Sequence, residues 1–305
     1  MNRFIKNTLL LAFPFGLYLI IIVLMDPFNY LNMSMLVDES HKENVAQNVE
    51  QHLYRMIQFE NTPRQNVSLG DSRANNLYIA LDHDRWANLS YGGASLKETI
   101  ETFWWSAEKF KLDTVLIAVN FNNYNKYNKR FWVEETLKIK KNLFSYAFSK
   151  HTFMATVLIL KGMLTKREVS INKVTLDREE FWKAQITSVP RKFFTKYAYP
   201  ENYYKDLKRI SEHCVENSIK LILWIPPTVV DFQSELEKYA LGDEEEIFRA
   251  DMRSIGEVYD FNYLNEITEN RDCFRDPLHV KNATAALISN EILGNKPVVA
   301  RYSKP

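Results

Sequence analysis

The chain has 305 residues, 46% of them apolar, which is enough to bury one large core, so one globular domain with attachments is expected. Basic residues number 39 and acidic ones 38, and a net charge of +1 argues against a nucleic-acid partner. The six histidines are scattered without metal-ligand spacing, so neither a metal nor another cofactor is expected.

From Thr8 to Met25 the chain carries no charge and is dominated by Leu, Ile, Val and Phe. As a helix it would be about 27 Å long, close to the thickness of a bilayer core. Arg3 and Lys6 precede it and Asp26 follows, which predicts a cytoplasmic amino terminus and an extracytoplasmic remainder. A cleaved signal peptide and a buried core helix are the alternatives. Leu24-Met25-Asp26-Pro27 offers no small-x-small cleavage site, which favours a retained anchor over residues 1–26.

A connecting region, 27–65, comes next. Val45, Val49, Leu53 and Met56 recur at helical spacing and predict one stalk helix over Glu43–Phe59 that ends before Pro63. Asn66-Val67-Ser68-Leu69 then reads as a short strand, followed by Gly70-Asp71-Ser72-Arg73 and a segment that can turn helical. A serine on a tight turn between strand and helix is lifted to the rim where ligands bind, so Ser72 is the best candidate nucleophile. Serine needs a base to take its proton and a third group to orient that base. Asp276-Pro277-Leu278-His279 supplies both, with the carboxylate one turn from the imidazole. Asp38-Glu39-Ser40-His41 has the same D-x-x-H spacing, but it precedes the serine and reads as a solvated helix start.

Two further stretches suit an acyl transfer, which develops an oxyanion that preorganised donors must meet. Asn88 to Ser95 reads as strand, glycine turn and helix start, exposing backbone N–H groups around Gly92 and Gly93. Val115–Val119 is an apolar strand that delivers Asn120, Asn122 and Asn123 at its carboxyl end. Leu96–Phe110 reads as helix and Lys220–Ile225 as a buried strand closed by Pro226-Pro227. Strands alternating with helices imply a parallel sheet covered on both faces.

The four blocks in order, a GDS nucleophile, an N-x-S-x-x-G turn, an asparagine after the third strand and a C-terminal D-x-x-H, resemble the SGNH (GDSL-like) hydrolase superfamily. The resemblance covers residues 66–305. It implies an α/β three-layer sandwich with a central parallel sheet, behind the transmembrane helix. It also implies Ser72 as nucleophile, His279 as base, Asp276 as its orienting partner, and an oxyanion hole made by Ser72, Gly93 and Asn122. Two departures stand out: Arg73 replaces the usual leucine, and Asn120-Phe121-Asn122-Asn123 replaces glycine-x-asparagine-aspartate, which leaves Asn120 as the alternative amide. Arg73 admits two readings, a substrate-binding residue that steers an anionic ligand or a structural partner of a neighbouring carboxylate.

Together with the anchor, the resemblance extends to accessory acyltransferases of bacterial envelopes, of the alginate O-acetylation or teichoic acid D-alanyl transfer type. It implies an extracytoplasmic, membrane-anchored serine O-acyltransferase or esterase. The implied partners are an acylated envelope polysaccharide or teichoic-acid-like polymer, a membrane-bound O-acyltransferase, and the lipid bilayer around residues 8–25. The alternative is a catalytically silent scaffold that docks such an acyltransferase or polymer. An insertion at about 125–200 lies outside the minimal plan. It is rich in lysine and aromatics, and its apolar run Thr152–Leu160 is too short to span a membrane, which leaves an interfacial helix or an ordinary cap helix. Cys214, in a predicted helix, and Cys273, in a predicted loop, could pair in an oxidising compartment.

Overall fold

The computed structural model describes residues 2–33, 36–165 and 177–304, so the middle of the expected insertion, 166–176, lies outside the described residues. Helix α1 covers Asn2–Met25, α2 Glu39–Val49 and α3 Gln51–Asn61. Strand β1 (Asn66–Leu69) leads into α4 (Ser72–Tyr78), β2 (Trp86–Asn88) into α5 (Leu96–Lys109), and β3 (Thr114–Ala118) follows. Five helices come next: α6 (Trp132–Ile139), α7 (Leu143–Ala147), α8 (Lys150–Thr165), α9 (Arg178–Phe194) and α10 (Glu201–Glu216). Then come β4 (Lys220–Ile225), α11 (Val230–Ser234), α12 (Gly242–Ile255) and β5 (Glu257–Asp260). A hairpin of β6 (Phe274–Asp276) and β7 (His279–Val280), helix α13 (Asn282–Gly294) and strand β8 (Arg301–Ser303) complete the chain.

Two compact units are formed. One gathers the described residues of Met1–Thr62 and Trp132–Val174, the other those of Pro63–Phe131 and Thr175–Pro305.

In the larger unit, six strands make a sheet in the order β2-β1-β3-β4-β5-β8. All neighbours are parallel except β8, which pairs antiparallel with β5 through Val258↔Ser303 and Asp260↔Arg301. Leu116 and Ala118 of β3, Ile222 and Trp224 of β4 and Tyr259 of β5 bury one face against α4, α9, α11 and α13. The alternate residues Val115, Ile117, Leu223 and Val258 are buried on the other face, which α5, α10 and α12 cover. Burial on both sides is why β3 and β4 read as apolar runs in the sequence. The expected α/β sandwich with its central sheet is thus the observed architecture; the antiparallel edge strand β8 had no separate signal in its short, half-exposed sequence.

The smaller unit packs α1, α2, α3, α6, α7 and α8 around a core that includes Ile22, Phe28, Ala46, Leu53, Tyr146, Ala155 and Ile159. Here the single stalk helix expected over Glu43–Phe59 is corrected. Glu50 is extended (φ −153°, ψ 91°) and divides it into α2 and α3, which pack against each other. The apolar spacing runs on across the break because both halves face the same core. Cys214 is buried in α10 and Cys273 ends a short turn of 3-10 helix; both are free thiols.

Candidate active site

Gly70 makes the turn before Ser72 possible. Its φ is +141°, and a β-carbon there would stand 2.8 Å from Ala118 Cβ and 3.0 Å from Ala74 Cβ, so only glycine lets β1 turn into α4 this close to β3. Asp71 caps α4, its carboxylate accepting the Arg73 N–H at 2.9 Å. Ser72 is therefore the first helical residue, half-buried at the carboxyl end of β1, and its N–H has no partner within the described residues.

His279 reaches this turn from the other end of the chain. In the β6–β7 hairpin Asp276 pairs directly with His279. The Asp276 carboxylate accepts the N–H groups of Leu278 (3.0 Å) and His279 (3.1 Å), which fixes the tight turn. It also lies 2.8 Å from His279 Nδ1 through either oxygen. The other ring nitrogen, Nε2, is 2.7 Å from Ser72 Oγ. An ionised carboxylate only accepts, so Nδ1 carries the proton and Nε2 is left to accept from the serine. Burial pushes the Asp276 carboxyl up, but its hydrogen bonds and charge interaction with His279, together with the two backbone donors, outweigh this and hold it below the usual carboxylate range. The hairpin is tethered by Arg275 Nη2, which donates to Asn76 Oδ1 on α4 at 3.0 Å, and by the Val229 N–H, which donates to the Pro277 carbonyl at 3.0 Å.

Across the turn, the Asn88 side chain organises the second block. Its Oδ1 accepts from Ser90 N–H at 3.0 Å and from the Ser90 hydroxyl, and its Nδ2 donates to Asn75 Oδ1 at 2.8 Å. Gly93 adopts φ +75° and is exposed, and its N–H makes no hydrogen bond within the described residues. A capping box between Ser95 and Glu98 then starts α5.

The three amides after β3 have different partners. Asn120 Nδ2 donates to Asp71 Oδ2 at 3.1 Å, and its Oδ1 accepts the Asn123 N–H at 3.0 Å. Asn123 Nδ2 donates to the same Asp71 oxygen at 3.1 Å and to the Ala94 carbonyl at 3.2 Å. Asn122 differs: its Oδ1 accepts from Arg73 Nη2 at 3.1 Å, and its Nδ2 has no partner within the described residues. Because guanidinium has no acceptor, the amide atom facing it must be the oxygen, which leaves the nitrogen to face the site. Asn122 therefore has the uncommitted donor, and Asn120 is spent on Asp71.

Asp71 is the hub that the sequence did not announce. It is 7% exposed and holds Arg73, Asn120 and Asn123 at once. Burial raises its pKa, but the Arg73 charge and hydrogen bonds more than offset this and hold the carboxyl below its ordinary value. Arg73 is itself 6% exposed, with Nε and Nη2 occupied by Asp71 and Asn122. Of its two readings, this geometry is the structural pairing, and those donors are not available to an anionic ligand. The only sequence signal for the hub was an aspartate at a helix N-cap followed two residues later by a basic side chain.

One cavity borders these residues and a second lies apart from them. One of about 30 Å³ is lined by Arg73, Asn122, Phe194, Pro226, Phe232 and Asn262. A larger one of about 450 Å³ opens beside the first turn of α5, between Lys97, Phe131, Tyr199, Tyr203, Glu201 and Asp206. Among the described residues no group of His, Cys, Asp and Glu is arranged to hold a metal ion.

No known family profile and no curated protein matches this chain. Among solved structures it is similar to a candidate acylhydrolase from Bacteroides fragilis NCTC 9343, at 12% identity and a TM-score of 0.42 over 81% of this chain and 95% of that one. It is also similar to a candidate platelet activating factor from Streptococcus pneumonia, at 11% identity and a TM-score of 0.36 over 83% of this chain and 92% of that one.

Proposed function

We propose that the protein is a serine O-acyltransferase or esterase of the SGNH type, held at the outer face of a membrane and acting on acyl esters of a cell-envelope glycopolymer. The observation that carries this reading is the unbroken relay from Asp276 through His279 to Ser72, with contacts of 2.8 and 2.7 Å. Ser72 Oγ attacks the acyl carbonyl while His279 Nε2 takes its proton, and the carbonyl oxygen becomes an oxyanion. The Ser72 and Gly93 N–H groups and Asn122 Nδ2 donate to that oxyanion. Collapse returns the proton from His279 to the leaving oxygen and leaves an acyl-serine. A water or a sugar hydroxyl, deprotonated by the same imidazole, then releases the acyl group as acid or as a new ester. Asp276 stays ionised throughout and stabilises the imidazolium.

The smaller cavity adjoins Asn122, beside the proposed oxyanion donors. The larger one, which none of Ser72, Gly93, Asn122 or His279 lines, combines the aromatic faces of Phe131, Tyr199 and Tyr203 with carboxylates and ammonium groups, a lining whose chemistry suits a saccharide. A membrane-bound O-acyltransferase that delivers the acyl group across the bilayer is the partner this reading implies.

Supporting the anchor, Phe4–Met25 is long and apolar enough to cross a membrane, and 12% of an 18-residue window within it is buried, too little for the core helix of a soluble domain.

The test is labelling with a fluorophosphonate. Wild-type protein should react and Ser72→Ala should not, with turnover of acetyl esters reduced on the order of 10³-fold or more. Equal labelling of both proteins would reject Ser72 as the nucleophile, and no labelling of either together with no acetyl release would favour the silent scaffold.

A further inference from the structure

We infer that the corner formed by α7 and the start of α8 is immersed in the outer leaflet beside α1, where it packs against lipid acyl chains. This rests on the reading of α1 as a retained span. The end of α1 and the residues just after it belong to the core of the smaller unit: Ile22 and Phe28 are fully buried and Met25 is 7% exposed. The contact extends well up the helix. Tyr18 donates its hydroxyl to the Ala147 carbonyl at 2.6 Å, and its ring lies 5.4 Å from that of Phe148 and 6.4 Å from that of Phe153.

Lengths then decide where the bilayer must be. From Lys6 to Tyr18 the helix rises about 18 Å, well short of a hydrocarbon core of about 30 Å, whereas from Lys6 to Met25 it rises about 28 Å. If the membrane surface lay at Tyr18 the span would be too short by about two-fifths. With the surface at Met25, the α7–α8 corner lies about 10 Å below it.

The corner has the surface and the backbone that such a position requires. Phe144 is 70% exposed, Phe153 53%, Val157 45%, Met154 41% and Phe148 40%, apolar surface that none of the described residues covers. An open cavity of about 550 Å³ between Pro14, Phe15 and Tyr18 on one side and Phe148 and Phe153 on the other continues the apolar face of α1 and would take an acyl chain. In hydrocarbon, loose backbone donors and acceptors are costly, and here the turns are capped from within. Asn142 accepts the Ser145 N–H at 2.9 Å, Ser149 Oγ accepts the Thr152 N–H at 3.1 Å, and the Ala147 carbonyl is taken by Tyr18. Lys150, beside the cavity, has a stem long enough to carry its ammonium toward the headgroups.

The experiment uses the full-length protein in phosphatidylethanolamine–phosphatidylglycerol vesicles doped with a phospholipid that has a diazirine at its acyl terminus. After photolysis, peptides are mapped by mass spectrometry. Carbene adducts are expected on α1 and on the stretch from Leu143 to Val157. The double substitution Phe144→Glu, Phe148→Glu, at two exposed positions, should remove the corner adducts and leave those on α1. Adducts confined to α1 would overturn the inference while leaving the anchor standing, and adducts on neither would overturn both. A corner unlabelled in pure lipid but shielded in native membranes would point to a protein neighbour and also reject it.

Discussion

Arg73 Nη2 donates to Asn122 Oδ1 over 3.1 Å, and this contact orients an amide whose nitrogen is otherwise uncommitted. The same guanidinium is held by Asp71 through Nε and Nη2, so a buried ion pair next to Ser72 sets the direction of the Asn122 amide, the proposed donor to an oxyanion. Lysine can replace the charge but not the fork. Arg73→Lys should therefore lower kcat about 10-fold with KM little changed, while Arg73→Leu, which leaves Asp71 buried without its cation, should cost about 3–5 kcal/mol of stability. Steady-state kinetics on an acetyl ester and thermal melts separate the two effects.

The amides at 120 and 122 should respond in opposite ways. Asn122→Ala removes a free donor and should reduce kcat about 10²-fold with little change in Tm. Asn120→Ala removes a donor to Asp71 and the acceptor for Asn123, and should cost about 1–3 kcal/mol of stability with a smaller kinetic effect. A kinetic loss at Asn120 with none at Asn122 would exchange their roles.

Gly70 and Gly93 both have positive φ but different surroundings. A β-carbon at Gly93 would meet the Arg130 guanidinium, the movable end of a side chain, 2.8 Å away; at Gly70 it would meet Ala118 and Ala74 within a packed layer. Gly93→Ala should cost about 1 kcal/mol and act mainly on kcat, through the tilt of its N–H. Gly70→Ala should cost about 3 kcal/mol or more, visible as a large drop in Tm.

His52 predicts how the smaller unit responds to acid. It is fully buried with Nδ1 3.0 Å from Thr136 Oγ1, and burial together with the charge of Lys140 pushes its pKa down to about 3. An unfolded histidine titrates near about 6.5, so between the two values the unfolded state binds a proton that the folded state refuses. The stability it contributes is complete above about pH 6.5 and is lost progressively as pH falls toward 3, by on the order of a few kcal/mol. Tm measured from pH 7 to 4 should fall more steeply in wild type than in His52→Asn. Parallel slopes would reject the assignment.

The parts of the molecule legible beforehand were the ones decided by local chemistry. The apolar runs of β3 and β4 announced strands because both faces of the sheet are covered, and Gly70 and Gly93 marked turns that need positive φ. Asp276 and His279 could be paired on paper because the hairpin between them is only two residues long. The break at Glu50 was not legible, since the apolar spacing continues through it, and strand β8 was not, since Arg301–Ser303 is short and half-exposed.

By itself, then, the sequence determined the strands β1, β3 and β4, where the serine turn and the D-x-x-H pair lie, and that a stretch long enough to cross a bilayer stands at the amino terminus. Only the tertiary structure decided which amide is free, what Arg73 holds, and how far up α1 the α7–α8 corner reaches. The physical reason is competition: a donor or carboxylate is assigned by whichever distant group meets it first, as Asp71 meets Asn120 and Asn123 some 50 residues on, and periodicity along one segment carries no record of that meeting.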